Sequence, residues 1–495
     1  MEGPVGVWGA NGMSAGIAQL LAESGSTVFL LGDAPTRETA QRMLNKKADK
    51  GQITQAAAHD AAVRIKLVTT LSELAPCGLV IESQLADRDV TQAAVVALED
   101  ALCSEAAIAL NTSAQPVAVL AAHAKRPQRI AGLHFFEPAP LMRAVEVIKG
   151  AWTLPEIVDQ LVSLVRDFGH TPVQVCDAPG FVANHVGRAL FIEGARIVDE
   201  RVAKPASIDR IARMTLGLRM GPFELLDMIG LDVSLPVMEQ LYHEYREEPR
   251  LRPPAFLSGR VAAGLLGRKS GAGFYTYGVG NDQEPANVGD LPKSREWPAI
   301  WLDPQDALFR DAVLTHLSSS DVQWDRSAEP ATGSLCLLAL LGHDCSRAVA
   351  TRRLDARRTV AVDAASGLTP LATLMGSPGL DLRMRQAISA VFGQAGAFEW
   401  IADSPGFVAQ RLLAAIVNLS CEVAQRGTAA PAEIDALTRV ALGYPRGPLA
   451  WGDAFGADRI LTVLQAMYND GDPRDRPSRW LARRAGLHLS LLTPD

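Results

Sequence analysis

The sequence predicts an α/β domain on a parallel sheet, then an all-α domain, a second, degenerate α/β segment and a second copy of the helical domain. Three observations predict this order. Short β-branched or Leu-rich runs alternate with amphipathic stretches between Val5 and Cys176, the rhythm of βαβ units. The first run passes through a Gly-rich turn into a helix, which is how a dinucleotide-binding α/β fold begins. The segment that follows Asp177 recurs further along the chain at a constant offset of 226 residues, as from Asp177 to Asp403.

Taken in order, the expected strands are 5-VGVWG, 28-VFLL, 66-KLVTT, 79-LVIES, 107-AIALN, 129-RIAGLHFF, 144-AVEVI and 172-PVQVC. The first helix is 13-MSAGIAQLLAESG, in which Ile17, Ala18, Leu20 and Leu21 recur at helical spacing before Gly25 closes it. These elements make residues 1–177 one α/β domain. Pro and Gly then open long amphipathic segments, and residues 178–277 read as helical, ending in 273-GFYTYG. Residues 278–300, rich in Gly, Pro, Asn and Asp, read as a linker. A weaker α/β pattern without a glycine fingerprint fills 301–402, with 334-SLCLLALLG and 359-TVAVDAA as its strand-like runs.

The repeat sets 177-DAPGFVANHV beside 403-DSPGFVAQRL and stays in register through Pro205 and Pro431, Ile208 and Ile434, Gly217 and Gly443, and Asp227 and Asp453. Residues 403–495 are therefore a second helical copy. An offset of 226 greatly exceeds the roughly 20 to 50 residues of solenoid repeats. Fusion of two copies that bury apolar faces against each other, an intramolecular pseudo-dimer, is the better reading, with a homo-oligomer as the alternative.

Bulk properties exclude other classes. With 495 residues, the chain holds several domains at about 150 residues each. Its 48 Lys and Arg against 55 Asp and Glu give a formal charge of −7, so there is no basic field for nucleic acid or an anionic membrane. Six scattered cysteines without C-x-x-C spacing indicate a reducing compartment and no metal. Neither a leader pattern nor a membrane-length apolar run is seen, and we expect a cytoplasmic protein.

The runs 9-GANGMSAGIA, 111-NTSA, 133-LHFFEPAPLMRAVEVI, 178-APGFVAN, 220-MGPFELLDMIG and 266-LGRKSGAGFY stand in an order and spacing that resembles the 3-hydroxyacyl-CoA dehydrogenases over residues 4 to 277. The second helical copy and 476-RPSRWLARRAGLHLSLLTPD look like the longer bacterial subgroup, associated with 3-hydroxybutyryl-CoA or 3-hydroxyadipyl-CoA, the latter in phenylacetate breakdown. The resemblance implies a Rossmann α/β domain followed by an all-α 6-phosphogluconate-dehydrogenase-like domain. It also implies reversible, NAD-dependent oxidation of (S)-3-hydroxyacyl-CoA to 3-oxoacyl-CoA, with an acyl-CoA thioester as substrate.

Such a reaction needs a base that works near neutral pH, for which histidine is the usual choice. The resemblance implies His134 as that base and Glu146, on the next strand, as the carboxylate that orients it. From the residues alone, the favoured reading is a strand-end histidine at His134 and an edge charge at Glu146, which the resemblance reverses. Ser113, by resemblance a ligand of the substrate oxygen, is otherwise an N-cap for a helix near Pro116. Asn184, by resemblance a partner of His134 or of the substrate carbonyl, is otherwise a solvated residue near a helix start. Gln410 replaces it in the second copy, which leaves only the first copy catalytic.

The implied NAD site comprises Gly9, Asn11, Gly12, Met13 and Asp33, with Lys269 reaching the nicotinamide side unless it is a solvated loop lysine. Lys50, beside Lys46 and Lys47, is a candidate for the coenzyme A phosphates or else part of a solvated helical face.

Departures from the family cluster on the cofactor. The fingerprint G-x-G-x-x-G reads Gly9, Asn11, Ser14, with Gly12 and Gly16 available to shift the turn. Gly32 stands at the ribose-acid position with Asp33 one residue later, and Ala86 and Thr91 replace a Glu and a Lys. Glu137 replaces an Asn and puts a carboxylate near the proposed base, where it would favour the imidazolium. Three readings follow: a dehydrogenase with an altered turn, an acyl-CoA-binding relative that no longer transfers hydride, and a change to NADPH with Arg37 meeting the 2′-phosphate.

Overall fold

Runs with apolar side chains at successive positions suit strands buried on both faces, and the chain uses them so. The computed structural model describes residues 3–84, 87–278 and 297–495; Ala86 and most of the expected linker 278–300 lie outside them. The elements run β1 (Val5–Trp8), α1 (Gly12–Glu23), β2 (Val28–Leu31), α2 (Ala34–Asp49), α3 (Gln55–Arg64), β3 (Ile65–Val68), β4 (Leu79–Glu82), α4 (Arg88–Ala101), β5 (Ala107–Leu110), α5 (Val117–Leu120), β6 (Ile130–Phe135), β7 (Ala144–Lys149), α6 (Pro155–Asp167) and β8 (Thr171–Cys176). Next come α7 (Ala183–Asp199), α8 (Pro205–Met214), α9 (Pro222–Ile229), α10 (Leu231–Glu244), α11 (Phe256–Ala262), β9 (Ile300–Leu302), α12 (Ala307–His316), β10 (Trp324–Asp325), β11 (Leu335–Ala339), α13 (Cys345–Arg352), β12 (Thr359–Val362), β13 (Leu371–Gly376), α14 (Leu382–Ala395) and β14 (Ala397–Ile401). The chain closes with α15 (Val408–Gln425), α16 (Pro431–Ala441), α17 (Pro448–Phe455), α18 (Ala457–Asn469) and α19 (Arg479–Gly486). It forms two compact units, residues 1–185 with 423–442 and residues 186–422 with 443–495.

The first unit is an eight-stranded sheet of order β3-β2-β1-β4-β5-β6-β7-β8. Ile17, Leu21, Leu30, Leu133, Val147 and Leu161 belong to one buried core, each side chain worth about 1.5–3 kcal/mol of transfer free energy. The expectation of a parallel sheet needs one correction, because β7 runs antiparallel to β6 and parallel to β8. Residues 136–143 are too few for a parallel crossover, which takes about a dozen residues or more. The reversal sets His134 directly opposite Glu146. The repeat boundary also differs from the compact units. Helix α16, from the second copy, packs on β7 and β8, and the Cys176 N–H donates to the Thr428 carbonyl at 2.7 Å.

The second unit holds a six-stranded sheet of order β10-β9-β11-β12-β13-β14. Its last four strands repeat the scheme of β5 to β8, with β12 and β13 antiparallel and the pairs on either side of them parallel. Short strands β9 and β10 complete the sheet, so the half that would carry a glycine turn is not rebuilt, which explains the weak pattern in 301–402. Here α8, from the first copy, packs on β13, and the Ala402 N–H donates to the Val202 carbonyl at 2.8 Å. The pairs Cys176–Thr428 and Ala402–Val202 are related by the repeat offset, so each copy lends a helix to the other copy's sheet. The copies end by the same device. Asp227 accepts the N–H groups of Phe274 and Tyr275 at 2.9 Å, and its counterpart Asp453 accepts the Leu491 N–H at 2.9 Å.

Helices of both copies pack within this unit around buried ion pairs. Arg411 on α15, 1% exposed, meets Glu193 on α7 at 2.6 Å and Glu200 at 2.7 Å. Arg196 on α7 makes a two-pronged pair with Asp475 at 2.5 and 2.6 Å. Removing one member of such a group strands buried charge, so Arg411→Ala should cost about 3–5 kcal/mol. Denaturant unfolding followed by circular dichroism checks this, and a loss below about 1 kcal/mol would mean that desolvation already cancels the pairing.

Candidate active site

The carboxyl edge of a doubly wound sheet collects strand-end side chains and helix N-termini, which is where ligands bind in such folds. In the first unit His134 near the end of β6 and Glu146 on β7 are both buried, and His134 Nδ1 lies 2.6 Å from Glu146 Oε2. The other oxygen, Oε1, accepts the N–H groups of Val182 at 2.9 Å and Ala183 at 3.2 Å, where the chain turns into α7. With the carboxylate accepting on both oxygens, Nδ1 is the ring nitrogen that donates to Glu146, which leaves Nε2 for other partners. The ring is packed against Phe136 and Phe181, with centroids 4.6 and 6.0 Å away.

One residue into α7, Asn184 Nδ2 donates to the Ser113 carbonyl at 2.5 Å, so Ser113, His134, Glu146 and Asn184 are linked through one loop–helix junction. The N-cap alternative for Ser113 does not hold. The first N–H groups of α5, on Val117 and Ala118, are taken by the Asp177 carboxylate at 2.8 and 2.7 Å, and Ser113 is exposed. Burial pushes the Asp177 carboxyl above the usual carboxylate range, and these two N–H donors pull against it.

The altered glycine turn keeps its shape by side-chain bonds. Asn11 has an extended backbone, φ −153° and ψ 174°, which any residue adopts. It caps α1 by accepting the Ser14 N–H at 2.9 Å, and its amide donates to the Ser83 carbonyl at 2.7 Å. The Ser14 hydroxyl, fully buried, bonds to Asn11 Oδ1 and the Ser83 carbonyl at 3.0 and 3.1 Å. Gly9 cannot be replaced so. A Cβ there would stand 2.2 Å from Ser14 Oγ and 2.4 Å from the Ser83 carbonyl oxygen, and one on Gly32 would stand 2.6 Å from the Gly9 carbonyl oxygen.

Bare backbone therefore reaches the N-terminus of α1, where Gly12 and Met13 have first-turn N–H groups without intrahelical partners, the arrangement that receives a pyrophosphate. Asp33 follows β2 as the N-cap of α2. Hydrogen bonds from Thr36 hold its exposed carboxyl below the usual range, which suits an acceptor for ribose hydroxyls. These residues fit a dinucleotide.

Lys269, in the second unit, pairs with Asp232 at 2.6 Å. Lys47 pairs with Glu23 at 2.5 Å, while Lys46 and Lys50 are exposed on α2 and at its end. Thr91 is buried in α4. Glu137 is exposed, and its Oε1 lies 3.9 Å from where a Cβ on Gly12 would stand. In the second sheet, strand register puts Asp363 where β6 has His134 and Thr373 where β7 has Glu146. Gln410, the counterpart of Asn184, donates to Asp363 at 2.8 Å. No imidazole stands at that place.

Two site-building residues escaped the sequence reading. Asn111 accepts the Phe135 N–H at 3.1 Å and donates to Ser83 at 3.0 Å, tying the ends of β4, β5 and β6 together. Phe181, buried against the His134 ring, holds a left-handed backbone with φ 50°. An Asn closing an apolar strand run was a usable signal, whereas the strain at Phe181 has no mark in sequence.

Comparison with known proteins finds matches along most of the chain. Residues 4–178 match the model of the 3-hydroxyacyl-CoA dehydrogenase NAD binding domain, and residues 180–277 and 406–487 match that of the family's C-terminal domain. The chain is 33% identical to 3-hydroxyadipyl-CoA dehydrogenase of Escherichia coli K12 over 98% of its own length and 97% of the relative's. It is 38% identical to a probable 3-hydroxybutyryl-CoA dehydrogenase of Bacillus subtilis over 55% of its length and 96% of that protein's. A crystal structure described as 3-hydroxybutyryl-CoA dehydrogenase from Escherichia coli K12 superposes with a TM-score of 0.83 at 30% identity, covering 98% of this chain and 99% of that one. A sheet edge with a buried His–Glu pair, a glycine turn closed to side chains and matches to both domain models over most of the chain have one common reading: this protein belongs to the 3-hydroxyacyl-CoA dehydrogenase family.

Proposed function

We propose that the first copy carries out the family's NAD-dependent oxidation of a 3-hydroxyacyl-CoA, with Ser113, His134, Glu146 and Asn184 as the working set. The observation that carries this assignment is the His134–Glu146 contact of 2.6 Å, because it fixes the ring at a sheet edge. When bound, NAD supplies the hydride acceptor. His134 Nε2 takes the hydroxyl proton as the C3 hydride departs, Glu146 stabilises the resulting imidazolium, and the Ser113 hydroxyl and Asn184 amide position the substrate oxygens. In the reverse direction His134 returns that proton.

We assign the phosphates of coenzyme A to Lys46 and Lys50, since Lys47 is engaged by Glu23. The substrate is of the 3-hydroxyadipyl-CoA or 3-hydroxybutyryl-CoA type, supported by relatives of those names that span both copies. That each copy lends a helix to the other's sheet supports an internal pseudo-dimer within one chain, with a homo-oligomer as the alternative. Among the described residues no helix is long and apolar enough to cross a membrane. All six cysteines are free, which supports a reducing cytoplasm.

His134→Gln should lower kcat at least about a thousandfold while acetoacetyl-CoA binding stays within about threefold, since a general base acts on the transition state and not on thioester affinity. Steady-state kinetics with calorimetric titration reads both numbers, and an equal loss of binding and turnover would contradict the role. Titrating the wild type with NADH, and separately with acetoacetyl-CoA, tests the two sites independently. Micromolar binding of both is expected. Thioester binding with no NADH binding would make this a relative that has given up hydride transfer.

A further inference from the structure

In a dinucleotide fold the first turn of α1 attracts the pyrophosphate through unpaired N–H groups and the positive end of the helix dipole. Two departures of this chain act on that turn together. Asn11 Oδ1 already accepts the Ser14 N–H, so an anion meets the Gly12 and Met13 donors and finds the third occupied. Glu137, from the loop after β6, brings Oε1 to within 3.9 Å of the Cβ place on Gly12, a carboxylate at the mouth of the same turn. Its exposure leaves it partly screened by solvent, so it lowers affinity without closing the site.

We infer that Glu137 is an affinity-determining residue for the dinucleotide, weakening the hold on its pyrophosphate by like charge at the N-terminus of α1. The inference rests on the NAD reading of this domain and adds to it the residue that sets the grip. Its physical sense is that a carboxylate there sets negative charge beside the positive end of α1, where the pyrophosphate would also lie. Cofactor binding must then overcome that charge. A weakened grip of this kind speeds release of the reduced dinucleotide, a step that often limits dehydrogenases once chemistry is fast.

The test is calorimetric titration of the full-length wild type and Glu137→Gln with NADH and with adenosine, which lacks the pyrophosphate. Glu137→Gln should bind NADH about three- to tenfold more tightly at low salt, as expected for one partly screened charge. That advantage should shrink as salt rises towards about 1 M, where the screening length falls to about 3 Å. Adenosine should bind both proteins alike, and Glu137→Asp should behave as wild type. Equal NADH affinity in Glu137→Gln, or a gain shared by adenosine, overturns the inference while wild-type NADH binding leaves the cofactor reading intact. Failure of both proteins to bind NADH overturns the two together.

Discussion

The Glu146 carboxylate is the joint on which the rest of the first unit depends. A fully buried acid is expensive unless its oxygens are satisfied, and here one oxygen meets His134 and the other meets the backbone of Val182 and Ala183. Three things are thereby fixed at once: the register of β6 against β7, the orientation of the imidazole, and the point at which the chain leaves the sheet for α7. Asn184 lies one residue beyond the clasped backbone, so the same bonds that settle the acid also carry the amide to Ser113. Burial and hydrogen bonding supply the precision that a reacting group needs.

The glycine turn shows how far a backbone motif bends before it breaks. Two of three fingerprint glycines are gone, yet the position of Asn11 needs no left-handed backbone, and its side chain with that of Ser14 ties the turn to Ser83. At Gly9 and Gly32 backbone approaches backbone, and no side chain has room. In this chain the turn's shape is therefore kept by hydrogen bonds, and glycine is required only where a Cβ would collide.

The two copies differ at the residues of the proposed site and agree in their packing. The second copy has Asp363, Thr373 and Gln410 at the places of His134, Glu146 and Asn184, and Gln410 donates to Asp363 Oδ1, while Asp363 Oδ2 is buried without a hydrogen-bond partner among the described residues. Burial pushes the Asp363 carboxyl up, and the Gln410 bond works against it. What this copy retains is its packing, including α16 on the first sheet and the Arg411 and Asp475 pairs with α7. A chain that supplies both halves of an interface keeps that packing without an imidazole at the second place.

The eight strands of the first sheet, the helix after the glycine turn, the repeat offset and the residues of the proposed active site were legible in the sequence by itself, because each rests on local spacing or on side-chain types held in order. Tertiary structure alone decided the antiparallel turn of β7, the exchange of α8 and α16 between sheets, the rescue of the turn by Asn11 and Ser14, the capping of α5 by Asp177, and the place of Glu137 at the mouth of α1. All of these are contacts between residues far apart in the chain, or backbone directions set by what packs around them. Hydrophobic periodicity tells a strand which face to bury but not which neighbour it meets or in which direction, and that choice is made only when the buried polar groups must all find partners.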